Sequence, residues 1–526
     1  MKRGEIVHSV SRGSFWLAME KIAALVSGMA YVALLMRWLG PTKYGIITLA
    51  LVCTGFATTA TGNFEMFLER YAAEYEARRL ILTLRRAHLL ALGIKLGLGL
   101  VASVALLLAA PLLARFFDTP ELTVLVPLLT LTVVFDSFSS TGRATLYGIQ
   151  QFRWVSTLAI LFHVAKTIMV GLLWWSRQGL VALAIGFTAL TVLLAVAQTV
   201  VPFWLMRRAE DHEPPAPERA WRGLLASMFA YCMPLLGGRI TFLSGQNLSK
   251  LILGKLFGPT SLGYFTFAWQ TVERFVELVH TIPSSLMPVF TRLVARDERE
   301  RLRSVFDQAL RLIQTVACIL SFGLFVFARE LTLLFGSPLF EPAIPMLRVL
   351  ALVPVARTAQ QPLTMLFQSL RRPGTVLALA LVKFATEFGG YFLLVTTLGI
   401  IGAAWANLAG ALTSYVAAMV LLSRLLPEGT RERVRSGLTA VALLLPLLAL
   451  TLLVEWRVHG HVLVLFHLAL VPVAAAGAFA LGLVRRQDLD KLADVPLETA
   501  WTRHLRDIIL AVLGVFARLA GPRRAS

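Results

Sequence analysis

Apolar positions along this chain run in blocks of about twenty, separated by short turns rich in Gly, Pro or charge. A block of that length crosses a hydrocarbon core of about 30 Å as one helix. Spans are expected near residues 14–38, 44–66, 87–114, 122–147, 154–175 and 179–206. After the polar linker RAEDHEPPAPERA come spans near 223–254, 261–291, 304–335, 342–369, 375–396 and 399–423, with two more near 436–455 and 460–484. The pattern predicts an all-α polytopic membrane protein with about 14 transmembrane helices. The short alternating segments of an outer-membrane barrel are absent.

The turns carry a repeat. RWLGPTKYGIITLA at 37–50 returns as KLFGPTSLGYFTFA at 255–268, so that Gly40, Pro41, Thr42, Gly45, Thr48 and Ala50 recur as Gly258, Pro259, Thr260, Gly263, Thr266 and Ala268. Phe117, Thr119 and Pro120 recur as Phe335, Ser337 and Pro338, and Gly179 matches Gly399. Six spans therefore repeat as six. An even number keeps both copies in one orientation, related by a pseudo-two-fold axis along the membrane normal. At the repeated turn Pro presets φ and Gly admits φ > 0. The domains expected are a six-helix bundle at 1–207, a cytoplasmic linker at 208–222, a second six-helix bundle at 223–424, helices 13 and 14 at 425–486, and a basic amphipathic tail at 487–526.

Composition sharpens the class. Hydrophobic residues make up 57% of 526 and charged ones 15%, against roughly 45–50% and 25% in soluble domains. The net charge of +20 would suit nucleic acid, but its placement follows the membrane. Of the 50 Lys and Arg, 32 fall in the amino terminus, the even-to-odd connections and the tail. That asymmetry puts both termini in the cytoplasm. The basic amino terminus runs into a long apolar block without a small-residue cleavage pattern, which reads as a retained span. Cys53, Cys232 and Cys318 lie in apolar blocks, where a thiol acts as a small hydrophobe. The tail, WTRHLRDIILAVLGVFARLAG, has an apolar stripe too short to span, so it is read either as an interfacial helix or as one packed on the bundle.

Ionisable groups inside spans are costly and face a cavity or a partner. Lys21 and Arg239 each precede the repeated glycine by 19 residues and so occupy one position in the two copies. They either grip a phosphate, Arg as a fork and Lys as a point charge, or snorkel to the interface. His163 and Lys383 also correspond, roughly 15 Å from their cytoplasmic ends. Lys166 shares a helical face with His163, and Glu387 shares one with Lys383, so the latter two either line a cavity or neutralise each other. Arg274, Arg348 and Arg357 with Asp136, Glu273 and Glu277 complete the set. The carboxylates either exchange an ion or lock helices together. Pro234 with Gly237 and Gly238 is expected to bend the seventh span. No GxxxxGK[ST], HExxH or paired CxxC is present, so neither ATP hydrolysis nor a metal is expected. The HxH at His459 and His461 is a weak signal.

Leu39, Gly40, Pro41, Tyr44 and Gly45 spell the LGPxxYG turn. With a parallel repeat of six, two extra spans and an Arg-rich inner face, the chain resembles the Wzx-type polysaccharide flippases of the multidrug/oligosaccharidyl-lipid/polysaccharide (MOP) exporter superfamily. Leu262 replaces the tyrosine in the second copy. The resemblance covers residues 10–425 and implies a MATE-like or lipid II flippase-like pair of helical bundles. It implies a non-enzymatic transporter, without a cofactor, in the bacterial cytoplasmic (inner) membrane. Its substrate would be undecaprenyl-diphosphate-linked oligosaccharide, moved from inner to outer leaflet by alternating access for O-antigen or other cell-surface polysaccharide. Lys21, Arg239, His163, Lys166, Lys383, Arg274 and Arg357 would then hold the diphosphate. Asp136, Glu273, Glu277 and Glu387 would couple an ion or pair internally. Membrane lipids and polysaccharide polymerase or assembly proteins are the expected partners. A lipid II flippase and a cation-coupled multidrug exporter of the same fold are the alternatives, as is a membrane scaffold for glycan assembly.

Overall fold

The computed structural model describes residues 3–208, 219–279, 286–370, 372–457 and 461–480. Every regular element among them is helical. Nine of these helices are long and apolar enough to cross a membrane, or ten when a pair bent by 41° counts as one span. This is the all-α polytopic architecture expected. The tally takes Met19–Ala60 as a single run, although that run contains a break. The linker core at 209–218, His459 and the tail lie outside the described residues, as do the side chains of Arg239 and His461.

The chain packs as two compact units, Met1–Thr266 and Phe267–Ser526. In the first, α1 (Arg3–Ala60) is two helices joined at Gly40, whose φ 68°, ψ 177° is non-helical. That region is essentially open to glycine alone. Pro41 follows at the first helical position, where its missing N–H leaves no donor unsatisfied. The expected turn between spans one and two is thus a one-residue break. The second span stops at Ala60, earlier than expected, because Gly62 turns the chain with φ 81° before the short helix α2 (Glu65–Ala77). Then come α3 (Ile81–Phe116), α4 (Leu122–Gly148), α5 (Phe152–Trp175) and α6 (Leu180–Arg208). Helix α7 (Arg219–Val279) repeats the first device, with its break at Gly258, φ 76° and ψ 177°. The bend expected at Pro234, Gly237 and Gly238 is not a break: α7 continues helical through all three.

The two breaks meet inside the first unit. Thr42 and Thr260 share a hydrogen bond of 2.8 Å between their hydroxyls. A Cβ built on Gly45 would stand 1.7 Å from the Pro259 carbonyl oxygen, and one on Gly263 would stand 2.1 Å from that of Pro41. The contact is reciprocal, as a two-fold axis requires of an isologous pair. Such contacts suit a membrane protein, where lipid competes with any apolar surface and close backbone packing supplies the attraction. Gly45 and Gly263 are glycine because a side chain would occupy the other turn's backbone.

The second unit continues with α8 (Leu286–Ala295), α9 (Arg299–Val326), the single turn α10 (Ala328–Leu331), a π turn and a 3-10 turn, then α11 (Ile344–Leu350). Helices α12 (Val353–Ser369), α13 (Pro373–Leu398), α14 (Ile401–Leu425), α15 (Thr430–Arg457) and α16 (His461–Ala480) complete it. The expected span at 304–335 ends as α-helix at Val326, and the one at 342–369 bends between α11 and α12, just before Pro354. Phe290, Phe306, Leu363, Phe367 and Leu422 form one core cluster, tying α8 and α9 to α12 and α14.

Candidate functional site

Within the first unit, α4 carries a line of polar residues into the packed interior. Its sequence DSFSSTGRAT, residues 136–145, places Ser137, Thr141 and Thr145 on the buried side. Lys95, halfway along α3 and 1% exposed, donates to the Glu65 carboxylate at 2.8 Å and to Ser140 Oγ at 2.7 Å. Ser137 Oγ donates to the Lys95 carbonyl at 3.2 Å. One turn on, Arg143 donates to Glu20 at 2.9 Å, and Ser156 Oγ on α5 donates to the other oxygen of that carboxylate at 3.1 Å. His88 Nδ1 lies 2.8 Å from Thr145 Oγ1, and Ser139 bonds Gln198 of α6. Ser137, Ser139, Ser140, Arg143 and Thr145 of this one helix thereby bond α1, α3 and α6 directly, and Glu20 and Lys95 carry the network on to α5 and α2. A buried charge is tolerated only when paired and hydrogen-bonded, and both ion pairs here meet that condition.

Three of the predicted cations of this unit, Lys21, His163 and Lys166, have described side chains. Lys21 is exposed, while its neighbour Glu20 is the buried member of the pair. His163 and Lys166 are half-buried on α5, and the Lys166 ammonium sits 4.2 Å from the centre of the Tyr31 ring. That contact is a cation–π interaction. Asp136 is half-buried, and its carbonyl accepts from Ser140 Oγ at 2.6 Å.

In the second unit each predicted cation already holds a carboxylate. Lys383 meets Glu387 at 3.3 Å, one turn away on α13. Arg274 meets Glu277 at 3.3 Å. Arg357 of α12 pairs with Glu273 of α7, and Arg348 of α11 with Glu455 of α15. Arg357 also stacks over Trp269, 5.9 Å from the ring centre. Trp269, Val272, Val276, Leu350 and Val353 line a cleft beside this pair, of about 10 Å³, which is room for one water. All four cations are thus paired internally, the pairing that the sequence had left open for Glu273, Glu277 and Glu387. A bare guanidinium or ammonium among apolar helices would carry a large desolvation penalty, and these carboxylates offset it. For Lys383, internal pairing was one of the two readings of the sequence.

Lys95, Glu65, Glu20 and Arg143 were missed. Lys95 lies nine residues inside the expected third span, so the rule that singled out Lys383 would have found it. Glu65 and Glu20 stand near span ends, where charge is unremarkable, and only packing shows them buried. No group of three or more His, Cys, Asp or Glu that could hold a metal occurs among the described residues.

Comparison with known proteins then bears on the geometry. The teichuronic acid biosynthesis protein TuaB of Bacillus subtilis is 24% identical over 266 residues, 50% of this chain and 53% of that protein. The chain thus matches about half the length of that relative. The lipopolysaccharide biosynthesis protein WzxC of Escherichia coli is 23% identical over 375 residues, 68% of this chain and 70% of that protein. The lipid II flippase MurJ, in an inward closed conformation, overlays 88% of this chain and 98% of its own with a TM-score of 0.62 at 12% identity. A multidrug resistance MATE family transporter of the MOP superfamily, inward-facing, overlays 80% and 99% with a TM-score of 0.59 at 17% identity. These overlays show that the chain shares the fold of those two proteins. A family model described as "Polysaccharide biosynthesis protein" matches residues 34–341, a stretch that takes in the twice-written turn, the α4 polar line and the Arg274 and Glu273 positions, and the chain belongs to that family.

Proposed function

We propose that this protein is a flippase that carries undecaprenyl-diphosphate-linked oligosaccharide from the inner to the outer leaflet of the bacterial cytoplasmic membrane, with both termini in the cytoplasm. The observation that carries this reading is the pairing of polysaccharide-biosynthesis family membership with a fold that overlays a lipid II flippase over 88% of the chain. A lipid-linked glycan must cross a bilayer before it is polymerised or attached outside, and that step needs no bond made or broken.

The paired cations suggest how a diphosphate is received. Arg357, Arg274 and Lys383 each rest on a carboxylate and retain partial exposure, at 24%, 30% and 30% of the side chain. A diphosphate would exchange for the carboxylate, gaining charge-assisted hydrogen bonds as it leaves water. The released Glu273, Glu277 or Glu387 then becomes an ion or proton acceptor, which links substrate entry to a coupling ion. The isoprenoid tail stays in the bilayer while the head group passes, and alternating access follows from rocking of the repeats.

The test is transfer of a labelled diphosphate-linked oligosaccharide across liposomes containing this protein alone, beside a monophosphate lipid and a cationic dye. Selective transfer of the diphosphate supports the reading. Transfer of the dye alone would assign the chain to multidrug export and overturn it.

A further inference from the structure

In the second unit, four ionisable side chains from four elements converge. His467 on α16 is fully buried, at 0% exposure, with Nδ1 3.0 Å from Glu330 Oε1 and Nε2 3.5 Å from Glu455 Oε1. Glu455 also takes the Arg348 guanidinium. The side chains of Glu330, Arg348 and Glu455 are 25%, 20% and 15% exposed. Four buried polar atoms of this one cluster, Glu330 Oε2, Arg348 Nε, Glu455 Oε1 and His467 Nε2, have no hydrogen-bond partner. No comparable concentration of orphaned atoms occurs elsewhere among the described residues.

The chemistry follows from the two ring nitrogens. A neutral imidazole has one N–H and one lone pair. Between two carboxylates, one nitrogen would then point a lone pair at an anion, and the cluster of Arg348, Glu330, Glu455 and a neutral ring would carry one uncompensated negative charge. Adding one proton turns both nitrogens into donors and brings the cluster to neutrality. We infer that His467, held between Glu330 and Glu455, is a proton-binding site whose occupancy sets how firmly α16 docks against the rest of the second unit.

Among the described residues, the charged groups near the ring are few, with the exposed Arg457 two residues beyond Glu455. From α10 come Glu330 and the exposed Arg329; from α11, Arg348; from α15, Glu455. Helix α9 presents Cys318, Phe322 and Val326, and α12 presents Val355, in an apolar cluster with Leu444 of α15 and Leu470 and Ala474 of α16. Phe327 meets the imidazole edge-on at 5.9 Å. His467 lies six residues from the start of α16 and Glu455 two from the end of α15, so the site sits about 3–9 Å from that end of the helix pair. By the distribution of basic loops, this is the end away from the cytoplasm, and the proton comes from the external medium.

Cys318, 2% exposed beneath α16, reports the docking without any added label site. The full chain in proteoliposomes is treated with N-ethylmaleimide from pH 6 to 8.5, and modification of Cys318 relative to Cys53, in the same molecule but the other unit, is read by peptide mass spectrometry. The ratio cancels the common dependence of thiol reactivity on pH. In the wild type it rises about tenfold with pH as the proton is lost. His467→Gln makes it flat, and Glu455→Gln, which removes one of the two anions facing the ring, displaces the rise. The readout needs no transport substrate, so it stands or falls apart from the flippase reading. A ratio flat in the wild type overturns the inference, and so does a rise unchanged in both variants. Should His467→Gln fail to accumulate, Glu455→Gln alone decides by shifting the rise or leaving it in place.

Discussion

Replacing Gly45 with Ala is the sharpest perturbation of the reciprocal turn. The new methyl would begin 1.7 Å from the Pro259 carbonyl oxygen and 2.6 Å from its carbon. Neither neighbour is a flexible side-chain end, so the two turns must separate by about 1.3 Å to reach even 3.0 Å, the closest approach that real Cβ atoms show. Overpacking of this kind costs about 1–3 kcal/mol, which lowers the population of the closed contact by roughly 5- to 150-fold. The assay uses Thr42→Cys with Thr260→Cys. Their hydroxyls lie 2.8 Å apart, so thiols at the same positions lie within reach of a disulfide. Oxidant-driven crosslinking in membranes measures how often the turns meet. The Gly45→Ala background should slow it by that factor, with protein abundance unchanged. Crosslinking as fast as in the parent would refute the argument that backbone contact at this point excludes a side chain.

Further outcomes follow from other contacts. Gly258→Ala forces an L-residue to φ 76°, ψ 177°, a region that costs about 1–3 kcal/mol, and thermal unfolding in detergent should show the loss. Glu65→Gln leaves Lys95, whose side chain is 2% exposed, without its counter-charge, a loss of about 3–5 kcal/mol. The double change Lys95→Met with Glu65→Leu should recover most of that, and if it melts as low as the single variant, the pair is not simply an ion pair. Lys383→Ala and Arg239→Ala should abolish polymer export while the protein stays in the membrane, as immunoblots of the fraction would check. Undiminished export would remove both from the proposed diphosphate site.

Much of the fold was legible in the order of residues. Block length alone determined that the chain is helical and membrane-embedded, because a bilayer core leaves no other way to satisfy the backbone of a twenty-residue apolar segment. The repeat at 37–50 and 255–268 determined that Gly40 and Gly258 break helices, since that backbone conformation is local and glycine carries it wherever it stands. Local chemistry also made Lys383 and Glu387 a candidate pair, one helical turn apart.

What the order of residues left open was everything decided across distance. That Gly45 and Gly263 touch each other's prolines, that Glu20 and not Lys21 is buried, that Lys95 finds Glu65, and that Arg357 is neutralised by Glu273 depend on which helix faces which. In a membrane an apolar face is as content against lipid as against protein, so hydrophobic patterning does not choose neighbours. Packing shape and the pairing of buried charge choose them, and both exist only once the helices are assembled.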